Sequence, residues 1–307
     1  SLVGSEMCIR DRTYSLNLLA VTIFLVPAVI LFDVPSKAKL ITVLLTVTLI
    51  ISNLIFGNLV LNKHNNTPNS PMNTIVKAIS PKIDLKRFFD GTDPSLVIKD
   101  LAEIGNIDSR DALYIYPEGI LPSINLNEIQ DYSSVFGNYF QNNHKIIIGI
   151  TRNKETEIFN SMALLDNDLK LISVYDKNKL VPFGEYLPFE NFLKNFGFKK
   201  ITQGYQSFSS ASDRDLIKMN DTKFLPLICY EIIYSGGLYK YSDNYDFIIN
   251  ISEDGWFGKS IGIDQHFYHS IFRSIEEGKN IIRSANNGIS AYICLLYTSD
   301  AADECDS

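Results

Sequence analysis

The chain is predicted to be an α/β layered protein preceded by two membrane-spanning helices. Three observations predict this. Apolar strand-length runs alternate with helical stretches from Thr74 to Ile293. Two long uncharged apolar runs crowd the first sixty positions. A carboxylate (Glu118), an amine (Lys177) and a thiol (Cys229) follow three of the predicted strands, and α/β proteins gather their sites at the C-terminal ends of strands, which places the three along one edge of a sheet.

The apolar runs come first. Leu16 to Phe32 and Leu40 to Leu61 would span about 26 and 33 Å as helices, against a bilayer core of roughly 30 Å. Asp33-Val34-Pro35-Ser36-Lys37 breaks them apart. A buried hairpin of soluble helices, or a signal peptide for the first run, is the competing reading. Lys37 and Lys39 in the connecting loop place that loop in the cytoplasm by the positive-inside rule, and hence the following domain outside it. Asn62 to Asn73 is a polar linker punctuated by proline.

The domain then opens with a strand at Thr74–Ser80. A helix starts at Asp93-Pro94 and stops at Gly105, with proline at its first position. Ala112–Tyr116 reads as a strand, Leu126–Asn142 as a helix and Lys145–Thr151 as an isoleucine-rich strand. Phe159–Leu165 and Leu169–Tyr175 pair across the turn Asp166-Asn167-Asp168. Thr222–Ile228 is a strand with a short helix after Cys229. Phe247–Ile251 is another strand and Asp264–Glu277 a helix. Asn280–Ser284 and Ile289–Ile293 flank an Asn287-Gly288 turn.

Composition narrows the function. With 307 residues, 46% hydrophobic and 21% charged, the chain holds one large domain and extra segments. A net charge of −7 argues against a nucleic-acid partner. Cys8, Cys229, Cys294 and Cys305 match no zinc or redox spacing, and no cofactor is implied. Ser1–Arg12 and Cys294–Glu304 resemble translated sequencing adapters, so residues 1–12 and 294–307 are set apart from the natural protein. Cys229 is then the sole native cysteine. The alternative is a genuine polar N-terminus and tail.

Glu118, Lys177 and Cys229 can together carry out acyl transfer. A thiol attacks a carbonyl as thiolate. A nearby ammonium favours that thiolate and steadies an oxyanion. A carboxylate takes the thiol proton and returns it to a leaving group. Each residue alone has a bland reading: a small buried cysteine, a turn carboxylate, a solvated lysine.

Three segments carry a resemblance: Tyr116-Pro117-Glu118, Tyr175 to Pro188 (YDKNKLVPFGEYLP) and Ile228-Cys229-Tyr230-Glu231. They resemble the carbon–nitrogen hydrolase (nitrilase) superfamily, and more closely the bacterial apolipoprotein N-acyltransferases. Asn250 to Gly258 and Arg283 to Ser290 also resemble family segments. The resemblance implies a nitrilase-like α-β-β-α sandwich over residues 74–293, lacking family segments at both ends and so C-terminally incomplete. It implies Cys229 as nucleophile, Glu118 as general base, Lys177 as oxyanion stabiliser, and Glu185, Tyr230 and Glu231 as supporting site residues. It implies a phospholipid acyl donor, a diacylglyceryl-cysteine apolipoprotein acceptor and an inner-membrane location with the domain on the periplasmic side. A membrane-tethered amidase or nitrilase acting on a small amide is the alternative, and uses the same residues.

Two readings outside the triad remain. Trp256, the single tryptophan, lines the site, anchors at a membrane interface or simply packs. His266 and His269, three apart on a helix, read as core or surface histidines rather than metal ligands.

Overall fold

The computed structural model describes residues 13–65, 74–89, 91, 93–107, 109–141, 143–188, 207–236, 238, 244–294 and 298–300. The helical N-terminal part and the sandwich are separate compact units. The segment 1–12 and most of the expected linker lie outside the described residues.

The first unit holds helix α1 (Thr13–Leu31, with Pro27 inside) and helix α2 (Ser36–Asn65). Lys39 Nζ donates to the Ile30 carbonyl at 2.7 Å across the break between them. The stretch Ser36–Leu59 of α2 is long and apolar enough to cross a membrane, with a mean hydropathy of 2.3 and only 6% of that window buried. The apolar part of α1, Asn17–Leu31, is shorter. At 1.5 Å per residue it reaches about 22 Å, less than a bilayer core. Polar Asn62 to Asn65, expected in the linker, continue α2.

The second unit stacks two sheets. The first runs in the order β1 (Ile75–Ala78), β2 (Ala112–Ile115), β3 (His144–Lys154), β4 (Glu157–Asp166), β5 (Leu171–Asp176). Strands β1 to β3 are parallel; β4 and β5 return antiparallel. The second runs β11 (Thr298–Asp300), β10 (Ala291–Ile293), β9 (Ile281–Asn286), β8 (Phe247–Glu253), β7 (Thr222–Ile228), β6 (Ile217–Met219). Its centre, β7 to β9, is again parallel. Strand β11 falls within the segment set apart as adapter-derived.

Strand alternation builds the layers. Along β7, Phe224 and Ile228 face β2, β3 and β4 residues in the core between the sheets, while Leu225 and Leu227 face outward. Helix α3 (Pro94–Ile104) and the turns after β2 cover the outer face of the first sheet. Helix α5 (Gly262–Glu277) covers that of the second through Phe267 and Ile271. This is an α-β-β-α sandwich. Helix α3 starts as expected: Asp93 accepts from Ser95 N at 2.9 Å and Pro94 takes the first turn. Pro226 sits in β7 beyond the last residue paired with β6, where the strand is an edge.

Two expectations need correction. Leu126–Asn142 is not one helix but a 3-10 turn, Leu126–Tyr132, followed by the short helix α4, Ser133–Gly137. Nor do Glu118, Lys177 and Cys229 line one edge of one sheet. The first two follow β2 and β5 of the first sheet, and Cys229 follows β7 of the second. The face-to-face stacking brings these ends together.

Candidate active site

Glu118 is set by a close approach of two strands. Gly149 N on β3 donates to the Pro117 carbonyl at 3.2 Å. A Cβ at Gly149 would lie 2.4 Å from the Glu118 Cα, so only glycine lets β3 pass. The carboxylate is buried and both of its oxygens accept hydrogen bonds. Oε1 accepts from Asn160 Nδ2 at 2.7 Å and from Lys177 Nζ at 3.4 Å; Oε2 accepts from the Glu253 amide at 3.1 Å.

Lys177, 1% exposed, leaves β5 with its amide bonded to the Asn160 carbonyl at 2.9 Å. Its Nζ donates to Glu185 Oε1 at 2.9 Å as well as to Glu118. Burial works against its charge, but the Glu185 and Glu118 carboxylates more than restore it, and its pKa lies well above the ordinary lysine value. Glu185 is positioned by a tight loop in which its Oε2 accepts from Val181 N at 2.8 Å. The Asn160 amide donates one hydrogen to each carboxylate, 2.7 Å to Glu118 and 2.8 Å to Glu185. It fixes the distance between them.

Cys229 occupies a sharp strand-to-turn junction. Its φ is +49°, in the left-handed region that costs a side-chain-bearing residue. A 3-10 turn, Cys229–Ile233, follows at once. The half-buried thiol has its pKa raised well above the ordinary value, by burial first and then by the Glu118 carboxylate; Lys177 and a hydrogen bond with Ser252 oppose this.

Glu231 is wholly buried. Its Oε2 accepts from Ile228 N at 2.9 Å. Its Oε1 accepts from Tyr175 Oη (2.8 Å), Asn178 N (3.1 Å), Lys179 N (3.0 Å) and Arg214 Nη2 (3.1 Å). It therefore both caps the turn and links it to the Lys177 loop. The Tyr230 ring lies 6.3 Å from Tyr234 and 6.4 Å from His266. Trp256 is 43% exposed and packs its ring 5.3 Å from Phe88.

A second buried polar layer escaped the sequence reading. Glu253, whose amide supports Glu118, pairs with Arg87 and accepts from Asn286 Nδ2 at 2.7 Å. Asp254 accepts from Arg283 Nη2 at 2.7 Å, from Ser252 Oγ at 2.6 Å, and lies 2.8 Å from His266 Nδ1. Only the family-like segments around Asn250 and Arg283 hinted at it. Among the described residues, no group of three His, Cys, Asp or Glu side chains could hold a metal ion.

Asp254 makes acid stability testable. Burial alone would raise its pKa, but Arg283 and His266 overcome this and hold it at about 2, below an ordinary value of 3.8. A depressed folded-state pKa contributes stability that is present above the unfolded value and lost as pH falls through the folded one. The expected contribution is on the order of 2 kcal/mol at neutral pH, draining away between about pH 4 and pH 2. Thermal melts of wild type and Asp254→Asn across that window check it. Parallel curves for the two proteins would refute the assignment.

Within the α-β-β-α sandwich, the abutting sheet ends carry a thiol, a buried amine and carboxylates, a set of groups whose chemistry suits acyl transfer. The family model for carbon-nitrogen hydrolases matches residues 139–301, just over half of the chain, and the chain belongs to that family. It is 33% identical over 232 residues to an apolipoprotein N-acyltransferase of Rhizobium rhizogenes, a match covering 71% of this chain and 43% of that protein. It is 29% identical over 292 residues to one of Rhizobium meliloti, covering 91% and 54%. The chain thus spans about half the length of these curated relatives. A glutamine-dependent NAD+ synthetase from Acinetobacter baumannii shares the fold, with a TM-score of 0.51 at 16% identity over 73% of this chain and 43% of that one.

Proposed function

We propose that this chain carries the catalytic domain of an apolipoprotein N-acyltransferase. The observation that carries the reading is the match to such a relative over 91% of the chain, too long to be confined to the sandwich. An apolar helix of bilayer length ahead of the domain fits a lipid substrate. In this reading both α1 and α2 span the bacterial inner membrane, and the sandwich of residues 74–293 lies on its extracytoplasmic side.

The proposed chemistry uses the groups gathered at the sheet ends. The raised pKa keeps the Cys229 thiol protonated at rest, so the proton leaves as Sγ attacks the ester carbonyl of a phospholipid. Glu118 accepts that proton. The oxyanion that forms is stabilised by Lys177, whose charge the two carboxylates maintain. Collapse expels the lysophospholipid alcohol, which takes the proton from Glu118, and leaves an acyl thioester on Cys229. The α-amine of a diacylglyceryl-cysteine lipoprotein then attacks the thioester, and Glu118 moves its proton to the departing thiol. Glu185 and Glu231 hold the lysine and the turn; Tyr230 and Trp256 border the acyl path.

Incubating the protein, in the open reading frame that carries it, with radiolabelled phospholipid tests this. A hydroxylamine-labile label on wild type, absent from Cys229→Ala and discharged onto a diacylated lipopeptide, is the expected result. Release only as free fatty acid would assign a hydrolase instead.

A further inference from the structure

Helix α5 packs against the second sheet with an unexpected face. His266, Ser270, Arg273 and Ser274 are its buried residues, all polar, beside the half-buried Phe267 and Ile271, so apolar packing alone does not account for the face it turns inward. Two of these side chains reach the turn that bears the nucleophile. Arg273 Nε donates to the Ile232 carbonyl at 3.0 Å, near the end of that turn. His266 Nε2 lies 3.2 Å from the carbonyl of Cys229 itself, at its start. A carbonyl only accepts, so this contact takes a hydrogen on Nε2. The other ring nitrogen, Nδ1, is 2.8 Å from Asp254 Oδ1, and Asp254 is in turn fixed by Arg283 and Ser252. The imidazole is 2% exposed and cannot swing away from this chain of contacts.

We propose that His266 is a positioning residue for the nucleophile: it holds the Cys229 backbone in its left-handed conformation by gripping the Cys229 carbonyl. The conformation at Cys229 is costly for a residue with a side chain and persists only where surrounding structure enforces it. Glu231 restrains the turn through the amide of Ile228, one residue before the thiol. His266 restrains it from the other side, through the carbonyl of Cys229. Between the two bonds lie the torsions that aim Sγ. The peptide joining Cys229 to Tyr230 is trans, so fixing its carbonyl toward α5 turns the Tyr230 N–H the opposite way. Asp254 selects the ring orientation, as a carboxylate partner does for histidine generally.

The inference rests on Cys229 being the reactive thiol but not on the identity of the acyl donor or acceptor, and its test is chosen accordingly. Alkylation of Cys229 by iodoacetamide, followed by peptide mass spectrometry from pH 6 to 10, reads the thiol's setting without any lipid. His266→Leu removes the donor. His266→Gln retains an N–H at a similar reach. His266→Asn keeps an amide too short to reach the carbonyl. In the Leu and Asn proteins the alkylation profile is expected to move, and acyl-enzyme formation at saturating lipid to fall by roughly ten- to a hundredfold with little change in KM. His266→Gln is expected to recover the wild-type profile and most of the rate. Equal behaviour of Gln and Asn, or a wild-type profile in Asn, would overturn the proposal; the Gln–Asn pair decides even if the Leu protein fails to fold. A wild-type protein that alkylates as expected but takes no acyl group from phospholipid would refute the acyltransferase reading alone.

Discussion

Replacing Glu118 by glutamine is expected to slow acyl-enzyme formation by about 10²- to 10⁴-fold while lowering stability by only about 1 kcal/mol. Glutamine has the shape of glutamate, so Asn160 and Lys177 keep an oxygen to donate to. What it forfeits is one acceptor: the Glu253 amide, 3.1 Å from Oε2, would face an NH₂. Lys177 keeps its closer partner, Glu185, at 2.9 Å. The lost rate has a single origin, because the amide cannot take the proton from a thiol whose pKa burial has pushed up. Single-turnover labelling beside a thermal melt separates the two effects. A Glu118→Gln protein that acylates within about a factor of ten of wild type would show that another group moves the proton.

Lys177→Met is expected to cost both activity and fold. The lysine is 1% exposed and is the cation between two carboxylates that are themselves buried. Methionine fills the volume but leaves Glu118 and Glu185 facing each other across Asn160 without a charge to balance them. Breaking a buried pair in this one-sided way typically costs about 3–5 kcal/mol. Adding Glu185→Gln to the Met variant removes one orphaned charge and is expected to return about half of that stability. It is not expected to return any transfer, since nothing then faces the oxyanion. Denaturant melts of the single and double variants measure the coupling. A Met variant as stable as wild type would remove Lys177 from the electrostatic account.

The strands were legible because their chemistry is local. Thr222–Ile228 alternates its apolar residues between two cores, and the structure returns it with the same ends. The three-residue strand Ile217–Met219 was too short to leave a period. The stretch after Asn125 has helical composition, but Glu128 folds back on the Asn125 amide and the chain tightens into 3-10 geometry. Alternation says which residues face inward, not which sheet they join, so the division of Glu118 and Lys177 from Cys229 could not be read. The lysine segment was conspicuous through its resemblance. Asn160 was not, because one asparagine on an otherwise apolar strand resembles any edge of a core. His266 was read only as a core or surface histidine: its partners, Asp254 and the Cys229 carbonyl, lie 12 and 37 residues away in sequence and meet it only after the second sheet has formed.

Glu231 sets a limit on how such a site can breathe. One carboxylate ties the amide before Cys229 to two amides of the lysine loop, and adds Tyr175 and Arg214 to the same knot. The turn bearing Cys229 and the loop bearing Lys177 are therefore joined through this one buried anion, and parting them would strip it of its partners on one side. In the proposed acyl transfer, room for a bulky chain is then expected at walls such as the exposed Trp256 corner rather than between Cys229 and Lys177.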